Sequence, residues 1–279
     1  MRRWTWVVAV LIALAFAHGA VAQAPPDRDA AWSAFIAWFK TSPAVANPLA
    51  AYAGKLKGDG RSEEKIRWEL GVIAGLLAER SDWIGVYFDK VYAGPLTGDP
   101  ARDRFSALPS AFLAGSIKGL KPGAALDAGM GQGRNAVYLA QRGWTVTGFD
   151  ISDEALAAAR VNAAKVGVRL TTVNASYDTF DFGTDRWDLI VLAFAWAPVT
   201  DPAFIARLRT SLRPGGKVVF EHFIENAERP QPNVIRALKP NQLRVCFSEF
   251  LIESYEEADG IGDWGGPGSR LVRMVAEKR

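Results

Sequence analysis

Residues 125–135 read ALDAGMGQGRN, and this stretch decides how the rest of the chain is interpreted. An apolar run that ends in an acidic residue is followed by three glycines at alternate positions. Glycine is favoured in such a loop because a side chain would keep a ligand away from the backbone, and because glycine adopts positive φ at little cost. The stretch therefore predicts a buried strand, a ligand-binding turn and a helix, in that order.

The spacing of the glycines distinguishes between classes of ligand. A dinucleotide fingerprint is G-x-G-x-x-G, and Arg134 holds the position of its third glycine here. A phosphate-binding Walker loop needs Gly-Lys-Ser/Thr, which this stretch lacks. Asp127 would repel a phosphate but suits a ligand with an ammonium and a sulfonium group. Asp150 ends the next predicted strand, where a carboxylate can accept hydrogen bonds from a ribose diol. Alone, either acid could simply organise a loop or cap a helix; together with the glycines they favour a nucleoside ligand.

The chain after residue 108 alternates apolar strands with helices. The predicted strands are 124–128, 144–149, 169–173, 187–194, 217–223, 250–255 and 270–276, and the predicted helices are 134–142, 152–167 and 204–212. Apolar strands separated by helices predict a doubly wound α/β fold, with a parallel sheet covered on both faces. Only a loop separates the last two strands, so the final strand is expected to run antiparallel.

Residues 23–105 are predicted to form a helical N-terminal segment. Apolar residues recur at helical spacing over 32–39 and 66–77, with the linker GKLKGDGRSEE at 54–64 between them and Ser62 as an N-cap. An apolar stripe on a helix must be buried against a partner. Two placements are open: a packing layer on the outer helices of the sheet, or a cap over the ligand cleft, formed by residues 83–92.

The first 22 residues have the pattern of an export signal peptide. Arg2 and Arg3 precede an apolar run at 4–16, and Ala20-Val-Ala22 supplies a small-x-small cleavage pattern before Gln23. The alternative is an uncleaved N-terminal membrane anchor, although the apolar run is short for a span. The sequence therefore predicts an exported protein, periplasmic or secreted, with no stable membrane span once the signal is cleaved.

Charge and cysteine content restrict the partners. The formal charge is +3 and falls to +1 without Arg2 and Arg3, and dense runs of Lys and Arg are absent, so nucleic acid is not predicted as a partner. Cys246 is the only cysteine and lies in an apolar run, so it is predicted to be a buried, inert thiol. No His/Cys cluster has metal-ligand spacing, so no metal is predicted. The sequence does not indicate an oligomeric state.

Residues 125–152, ALDAGMGQGRNAVYLAQRGWTVTGFDIS, closely resemble class I S-adenosylmethionine-dependent methyltransferases. They are most similar to the small bacterial tellurite-resistance-type group, in which G-x-G-x-G-R-N-A is followed by G-x-x-V-T-G-x-D. The resemblance continues through RWDLIVLAFAW at 186–196 and LRPGGKVVFEHF at 212–223. It implies a methyltransferase domain over 106–279, with a seven-stranded Rossmann-like sheet whose last strand is antiparallel. It also implies S-adenosyl-L-methionine as cofactor and a small molecule as methyl acceptor.

The resemblance assigns cofactor-binding roles by position. The implied residues are Asp127, Gly129, Met130, Gly131, Gly133, Arg134, Asn135, Asp150, Ile151, Ser176, Tyr177 and Ala193. Asp127 would face the ammonium group, Asp150 the ribose hydroxyls and Ile151 the adenine, while Arg134 and Asn135 would brace the loop. Ser176 stands where many relatives carry an acid that contacts the adenine amine, so the chain departs from the family here.

The methyl donor is already activated, so the family does not require a particular catalytic residue, and none is assigned. His222 could act as a general base, or it could pair with Glu221 or pack beneath a loop. The aromatic candidates for an acceptor pocket are Tyr177, Trp196, Tyr255 and Trp264.

Three other functions compete with methyl transfer to a small molecule. A nucleic-acid amino-methyltransferase would carry an Asn/Asp-Pro-Pro-aromatic motif after the fourth strand, and this chain does not. An aminopropyltransferase needs acids for a polyamine, and AFAWAP at 193–198 offers none. A non-catalytic S-adenosylmethionine- or nucleoside-binding protein of the same fold stays open, because a fold does not establish activity.

Overall fold

The computed structural model describes residues 27–94, 106–225, 237–262 and 266–279. The predicted signal peptide at 1–22 and the stretch 95–105 lie outside the described residues. Among the helices of the described part, none combines the length and the apolar character needed to cross a membrane.

The N-terminal segment contains four helices, where the sequence indicated two. They are α1 (Arg28–Thr41), α2 (Pro48–Gly58), α3 (Glu63–Glu79) and α4 (Ser81–Ala93). Side chains cap three of them, and the predicted N-cap Ser62 is confirmed by its bond from the Lys65 N–H. The predicted linker at 54–64 is too long, because α2 continues to Gly58. Asn47 and Pro48 start that helix, and an added Cβ at Gly54 would meet nothing, so this glycine lies in an open helical turn.

The apolar faces of these four helices pack into one cluster, whose most buried aromatic side chains are Phe35, Phe39, Tyr52 and Tyr87. Phe39 stacks on Tyr87, and Phe35 meets Tyr52 edge to face. The segment therefore has a core of its own, in addition to the contact it makes with the rest of the chain.

The remainder of the chain forms a seven-stranded sheet. The strands are β1 (Ala124–Ala128), β2 (Thr145–Asp150), β3 (Thr171–Asn174), β4 (Trp187–Ala193), β5 (Leu212–Phe223), β6 (Leu251–Gly262) and β7 (Gly266–Glu277). Their order is β3-β2-β1-β4-β5-β7-β6. The first five strands pair in parallel, whereas β7 pairs antiparallel to both β5 and β6, which confirms the predicted reversed last strand.

Helices cover both faces of the sheet. They are α5 (Ala111–Ser116), α6 (Arg134–Ala140), α7 (Asp153–Lys165), α8 (Pro202–Ser211) and α9 (Gln242–Cys246). Alternate residues of β4 enter two different clusters: Leu189 and Val191 pack on one face, and Ile190 and Leu192 on the other. This alternation is what a strand buried on both sides requires.

Three predictions need correction. The helix that follows the glycine loop ends at Ala140, two residues earlier than expected. The predicted loop between the last two strands is largely strand, because β6 and β7 pair along almost their whole length with register shifts near Ile252 and Gly260. Cys246 is half-buried rather than buried, and desolvation raises the pKa of its thiol.

Candidate cofactor and acceptor site

A cavity of about 320 Å³ opens at the carboxyl ends of the parallel strands. Its volume lies at the lower end of the range for small-molecule pockets, about 300–1,000 Å³. The loops after β1, β2 and β3 form the floor, and we call the residues that α3, α4 and the loop after β4 contribute the roof. Ten of the twelve cofactor-binding residues implied by the sequence line this cavity: Gly129, Met130, Gly131, Arg134, Asn135, Asp150, Ile151, Ser176, Tyr177 and Ala193.

The carboxylate of Asp150 fixes the glycine loop to the end of β2. The Gly131 N–H donates to Asp150 Oδ2 at 2.9 Å, and the Ser152 N–H donates to Oδ1 at 3.0 Å. Burial raises the pKa of Asp150 to about 6, although the backbone N–H groups that it accepts from oppose the rise. Each carboxylate oxygen has a second lone pair, so Asp150 can accept hydrogen bonds from a ligand while it holds the loop.

Two features favour glycine at position 131: the conformation of the loop and the close approach of the roof. Its φ is +53°, in the left-handed region, and an added Cβ would collide with the hydroxyl of Tyr92 on α4. Tyr92 is buried and also lines the cavity. The helical segment therefore lies directly on the glycine loop, and only glycine permits that approach.

Asp127 and Gly133 lie behind the cavity wall. An added Cβ at Gly133 would lie 2.9 Å from Cβ of Ala159 on α7, so this glycine lets α6 pack against α7. Asp127 is 2% exposed, and its Oδ2 has no hydrogen-bond partner. Burial raises the pKa of Asp127 to about 7, against the opposing charge of Arg134 and a hydrogen bond from the Ala136 backbone.

Arg134 and Asn135 tie the glycine loop to the chain that precedes α5. The Ser110 N–H donates to Asn135 Oδ1 at 2.9 Å, and the Arg134 guanidinium donates to the Leu108 carbonyl at 3.2 Å. Both side chains also line the cavity. The resemblance implies that Arg134 and Asn135 brace the glycine loop, and the segment that they contact is 108–110.

Glu221 and His222 do not form a pair. Glu221 is buried and accepts from Ser110 Oγ at 2.6 Å and from Arg273 Nε at 2.8 Å. His222 is also buried, and its ring lies 5.7–6.3 Å from the rings of Phe194, Phe220 and Phe223. It does not line the cavity. The geometry therefore corresponds to a packed histidine, and it does not place His222 as a base at the site.

The loop after β3 uses Ser176 locally. Its hydroxyl accepts from the N–H groups of Asp178 and Thr179, both at 3.2 Å. The Tyr177 hydroxyl reaches across to donate to the Ala128 carbonyl at 3.1 Å. Asp178 is exposed and lines the cavity, so the acid that this loop presents stands two residues after Ser176. Sequence reasoning missed Asp178, although it lies within the same short loop.

The roof supplies the residues that sequence reasoning did not assign to the site. Ile84, Phe88 and Tyr92 stand four residues apart on α4 and present one apolar face to the cavity. Phe88 packs against Trp196 with 4.9 Å between ring centroids. Leu77 at the end of α3 extends the same surface. Helix α4 therefore lines the cavity and also contacts the outer helix α7.

The other aromatic candidates lie elsewhere. Trp83 packs edge to face on Trp32 within the helical cluster. Tyr255 donates to Glu257 and lies under the guanidinium of Arg244. Trp264 lies outside the described residues.

Asp89 connects the roof to the segment that follows β2. Its Oδ1 accepts from Ser152 Oγ at 2.7 Å and from the Glu154 N–H at 3.4 Å, at the N-terminus of α7. A carboxylate is favourable there because the first turn of a helix carries unpaired N–H groups and a positive partial charge. Ser152 also donates to Asp150 through its own N–H, so α4 and Asp150 share one hydrogen-bonded loop.

Comparisons with known proteins agree with this geometry. Residues 125–216 match the model of a family described as a methyltransferase domain. A ubiquinone biosynthesis O-methyltransferase of Aeromonas salmonicida is 36% identical over 95 residues, which is 33% of this chain and 40% of that protein. The chain spans about half the length of the curated relatives that it matches.

Two solved structures share the fold. One, from work on the conversion of a disulfide bond into a thioacetal group during echinomycin biosynthesis, is 25% identical, with a TM-score of 0.54 over 70% of this chain and 91% of the other. TehB from Haemophilus influenzae is 21% identical, with a TM-score of 0.54 over 70% of this chain and 67% of the other. The strand order, the glycine loop with Asp150 at its edge and the family match lead to one conclusion: residues 125–216 match a methyltransferase domain, and the α/β part of the chain has the fold of TehB.

Proposed function

We propose that the protein transfers the methyl group of S-adenosylmethionine to a small-molecule acceptor bound beneath the roof. The observation that carries the proposal is the joint geometry of Asp150 and Gly131. The Asp150 carboxylate, at the carboxyl end of β2, accepts a hydrogen bond from the Gly131 N–H and so holds the glycine loop that follows β1. The same residue lines a cavity whose opposite wall is apolar. Methyl transfer of this kind needs one binding surface for the nucleoside and another for the acceptor. The polar floor and the apolar roof supply these two surfaces.

The residues fit S-adenosylmethionine better than a phosphorylated ligand. Asp150 and Asp178 offer carboxylates to the hydroxyls and the amine of an adenosine group, and Ile151 supplies an apolar surface. The buried carboxyl of Asp127, near the end of β1 and directly before the glycine loop, offers no positive charge to a phosphate. Among the described residues that line the cavity, Arg134 is the one cation, and its guanidinium donates to Leu108.

When it is bound, S-adenosylmethionine supplies a methyl group on a positively charged sulfur. The chain's own residues hold and orient the reactants and exclude water. Phe194, at the end of β4, keeps a left-handed φ of +54°, and its N–H donates to the Glu221 carbonyl at 2.8 Å. A bulky residue in that conformation persists only where its surroundings enforce it, as at binding sites. Phe194 and Trp196 thus form a fixed part of the roof, which lowers the entropy cost of aligning two reactants.

The comparisons favour a small acceptor. The matched relatives include several ubiquinone biosynthesis O-methyltransferases, which act on small molecules by name. A solved structure of 1,6-didemethyltoxoflavin-N1-methyltransferase with its substrate and S-adenosylhomocysteine shares the fold at 22% identity. Because these names differ in the atom that is methylated, they support the size of the acceptor and leave the atom open.

The test is transfer of radiolabelled methyl groups. The purified protein is incubated with S-[methyl-³H]adenosylmethionine and separate pools of phenols, heteroaromatic amines and thiols, and the extracted products are counted. We expect label in at least one pool, with Asp150→Ala strongly impaired and Asp153→Ala, at an exposed acid that begins α7, unaffected. Tight binding of S-adenosylhomocysteine with no transfer to any pool would instead favour a non-catalytic binding protein.

We also propose that the protein is exported and that its mature chain begins at Gln23. The basic start, the short apolar run and Ala20-Val-Ala22 support this proposal. Fractionation of native cells followed by N-terminal sequencing tests it. A full-length chain found only in the cytoplasm would overturn it.

A further inference from the structure

The roof is built from aromatic and aliphatic side chains. Phe88 and Trp196 are in direct ring contact, with an interplanar angle of 58°, and each lines the cavity. Ile84 and Tyr92 flank Phe88 on the same face of α4. Aromatic surfaces of this kind favour flat, apolar partners, which gain both burial and ring–ring contact.

The charges around the cavity disfavour an anionic acceptor. Three acids line it: Asp150, Asp178 and the exposed Glu79, whose carboxylate lies 3.9 Å from the guanidinium of Arg28. Arg134, the one cation among the described lining residues, donates to the Leu108 carbonyl and lies 6.0 Å from the Phe194 ring. A carboxylate or phosphate on the acceptor would therefore enter a field of like charge. A cationic acceptor would lie next to the positive sulfur of the methyl donor and would be repelled in turn.

The volume limits the size of the acceptor. The cavity measures about 320 Å³ and opens to solvent, and the methyl donor takes part of this space. The contact between the Tyr92 hydroxyl and Gly131 closes the cavity at the glycine loop, and Asp89 fixes α4 to α7. The roof is therefore attached to the floor at two points, and the space between them favours a small acceptor.

We propose, on the basis of the proposed methyl transfer, that the acceptor is an uncharged planar aromatic molecule of one or two rings that lies against Phe88 and Trp196. These two residues determine acceptor specificity and take no part in holding the nucleoside. Acceptor binding and cofactor binding then depend on different residues, so the two affinities can be measured separately.

The experiment is calorimetry on the full chain saturated with sinefungin, an analogue of S-adenosylmethionine that carries an ammonium group in place of the sulfonium. The probes are 2-naphthol, 2-naphthoate and 2-(aminomethyl)naphthalene, which share a ring system and are neutral, anionic and cationic at pH 7. The variants are Phe88→Ala, the milder Phe88→Leu and Trp196→Ala. Val86→Ala is the matched control, since Val86 stands on α4 but is exposed and does not line the cavity.

We expect 2-naphthol to bind at least about 10-fold more tightly than either charged probe, and Phe88→Ala and Trp196→Ala to weaken it by about 10-fold. Phe88→Leu should weaken it less, and Val86→Ala should leave it unchanged. All four variants should keep their affinity for sinefungin within about 3-fold, because the floor is intact. Equal or tighter binding of a charged probe, or no binding of 2-naphthol, would overturn the proposal, as would Phe88 and Trp196 variants that bind 2-naphthol normally. Failure of the wild type to bind either sinefungin or S-adenosylhomocysteine would instead refute the proposed function itself.

Discussion

At the scale of single residues, the carboxylate of Asp150 fixes the glycine loop at the cavity wall, and we propose that it also holds the ribose of the cofactor. We predict that Asp150→Ala weakens S-adenosylhomocysteine binding by about 1.5–3 kcal/mol, the free energy of a lost pair of charge-assisted hydrogen bonds. Part of that loss comes from the Gly131 N–H, which loses its partner. Calorimetry measures the effect, with Asp153→Ala as the control. A folded Asp150→Ala protein with unchanged affinity would remove Asp150 from the site.

The buried acid Asp127 should make the free protein less stable as the pH rises. Its pKa is raised to about 7 in the folded state, well above the value of an exposed aspartate, so the folded chain retains a proton that the unfolded chain has lost. The contribution of protonated Asp127 to the free energy of unfolding is complete below about pH 4 and is lost as the pH rises through about 7. We predict that Asp127→Asn gains roughly 2–4 kcal/mol relative to wild type between pH 4.5 and 7.5. Urea unfolding at three pH values measures this difference, which includes the change in the Coulombic interaction between Asp127 and Asp150. A difference that stays constant with pH would contradict the account.

Most residues of the floor could be predicted from the sequence, because the motifs that mark them lie within short stretches of the chain. The glycines and Asp150 follow apolar runs directly, and strand ends at the same sheet edge must meet. Asp178 was missed because a family alignment favoured Ser176, whose hydroxyl caps its own turn instead. The burial of His222 among three phenylalanine rings depends on partners from β4 and β5 together, and no short stretch of sequence encodes that environment.

At the scale of elements, the proposed acceptor site depends most on the position of α4, which lines the cavity. We predict that Asp89→Ala frees it from α7, because Ser152 and the Glu154 N–H lose an acceptor. A net loss of about 1 kcal/mol corresponds to roughly 5-fold faster hydrogen exchange at the α4 amides, whereas the strands of the sheet should exchange as before. Asp82→Ala, at an exposed acid on the same helix, is the control. Unchanged exchange in α4 of the Asp89→Ala protein would show that this contact does not hold the roof.

Strands were predicted more reliably than short helices. Long apolar runs such as 187–193 allow few alternatives to a buried strand, and the structure places β4 at Trp187–Ala193. By contrast, α5 and α9 have six and five residues, too few for a periodic apolar pattern to develop. The extension of β6 and β7 was missed because glycines and acids at 256–269 resemble a loop, while cross-strand pairing with β5 holds β7 in place.

At the scale of the whole molecule, the cavity exists only because two parts of the chain meet. Its wall combines residues from Leu77 to Pro198, and the contacts that close it join α4 to the loops after β1 and β2. The sequence indicated an apolar helical segment that had to be buried, but the partner surface is set by tertiary packing. An apolar face at helical spacing has the same pattern whether it contacts a core or a ligand.

The identity of the cofactor is the central claim, and one binding experiment on the intact protein tests it most directly. Isothermal titration calorimetry compares S-adenosylmethionine, S-adenosylhomocysteine and NAD under identical conditions. We predict micromolar or tighter dissociation constants, about −8 kcal/mol, for the first two and at least about 100-fold weaker binding of NAD. The reason is the 129/131/133 glycine spacing, with Arg134 at the position of the third dinucleotide glycine and Asp127 behind the loop. Equal affinity for NAD, or no detectable heat with S-adenosylmethionine, would contradict the account.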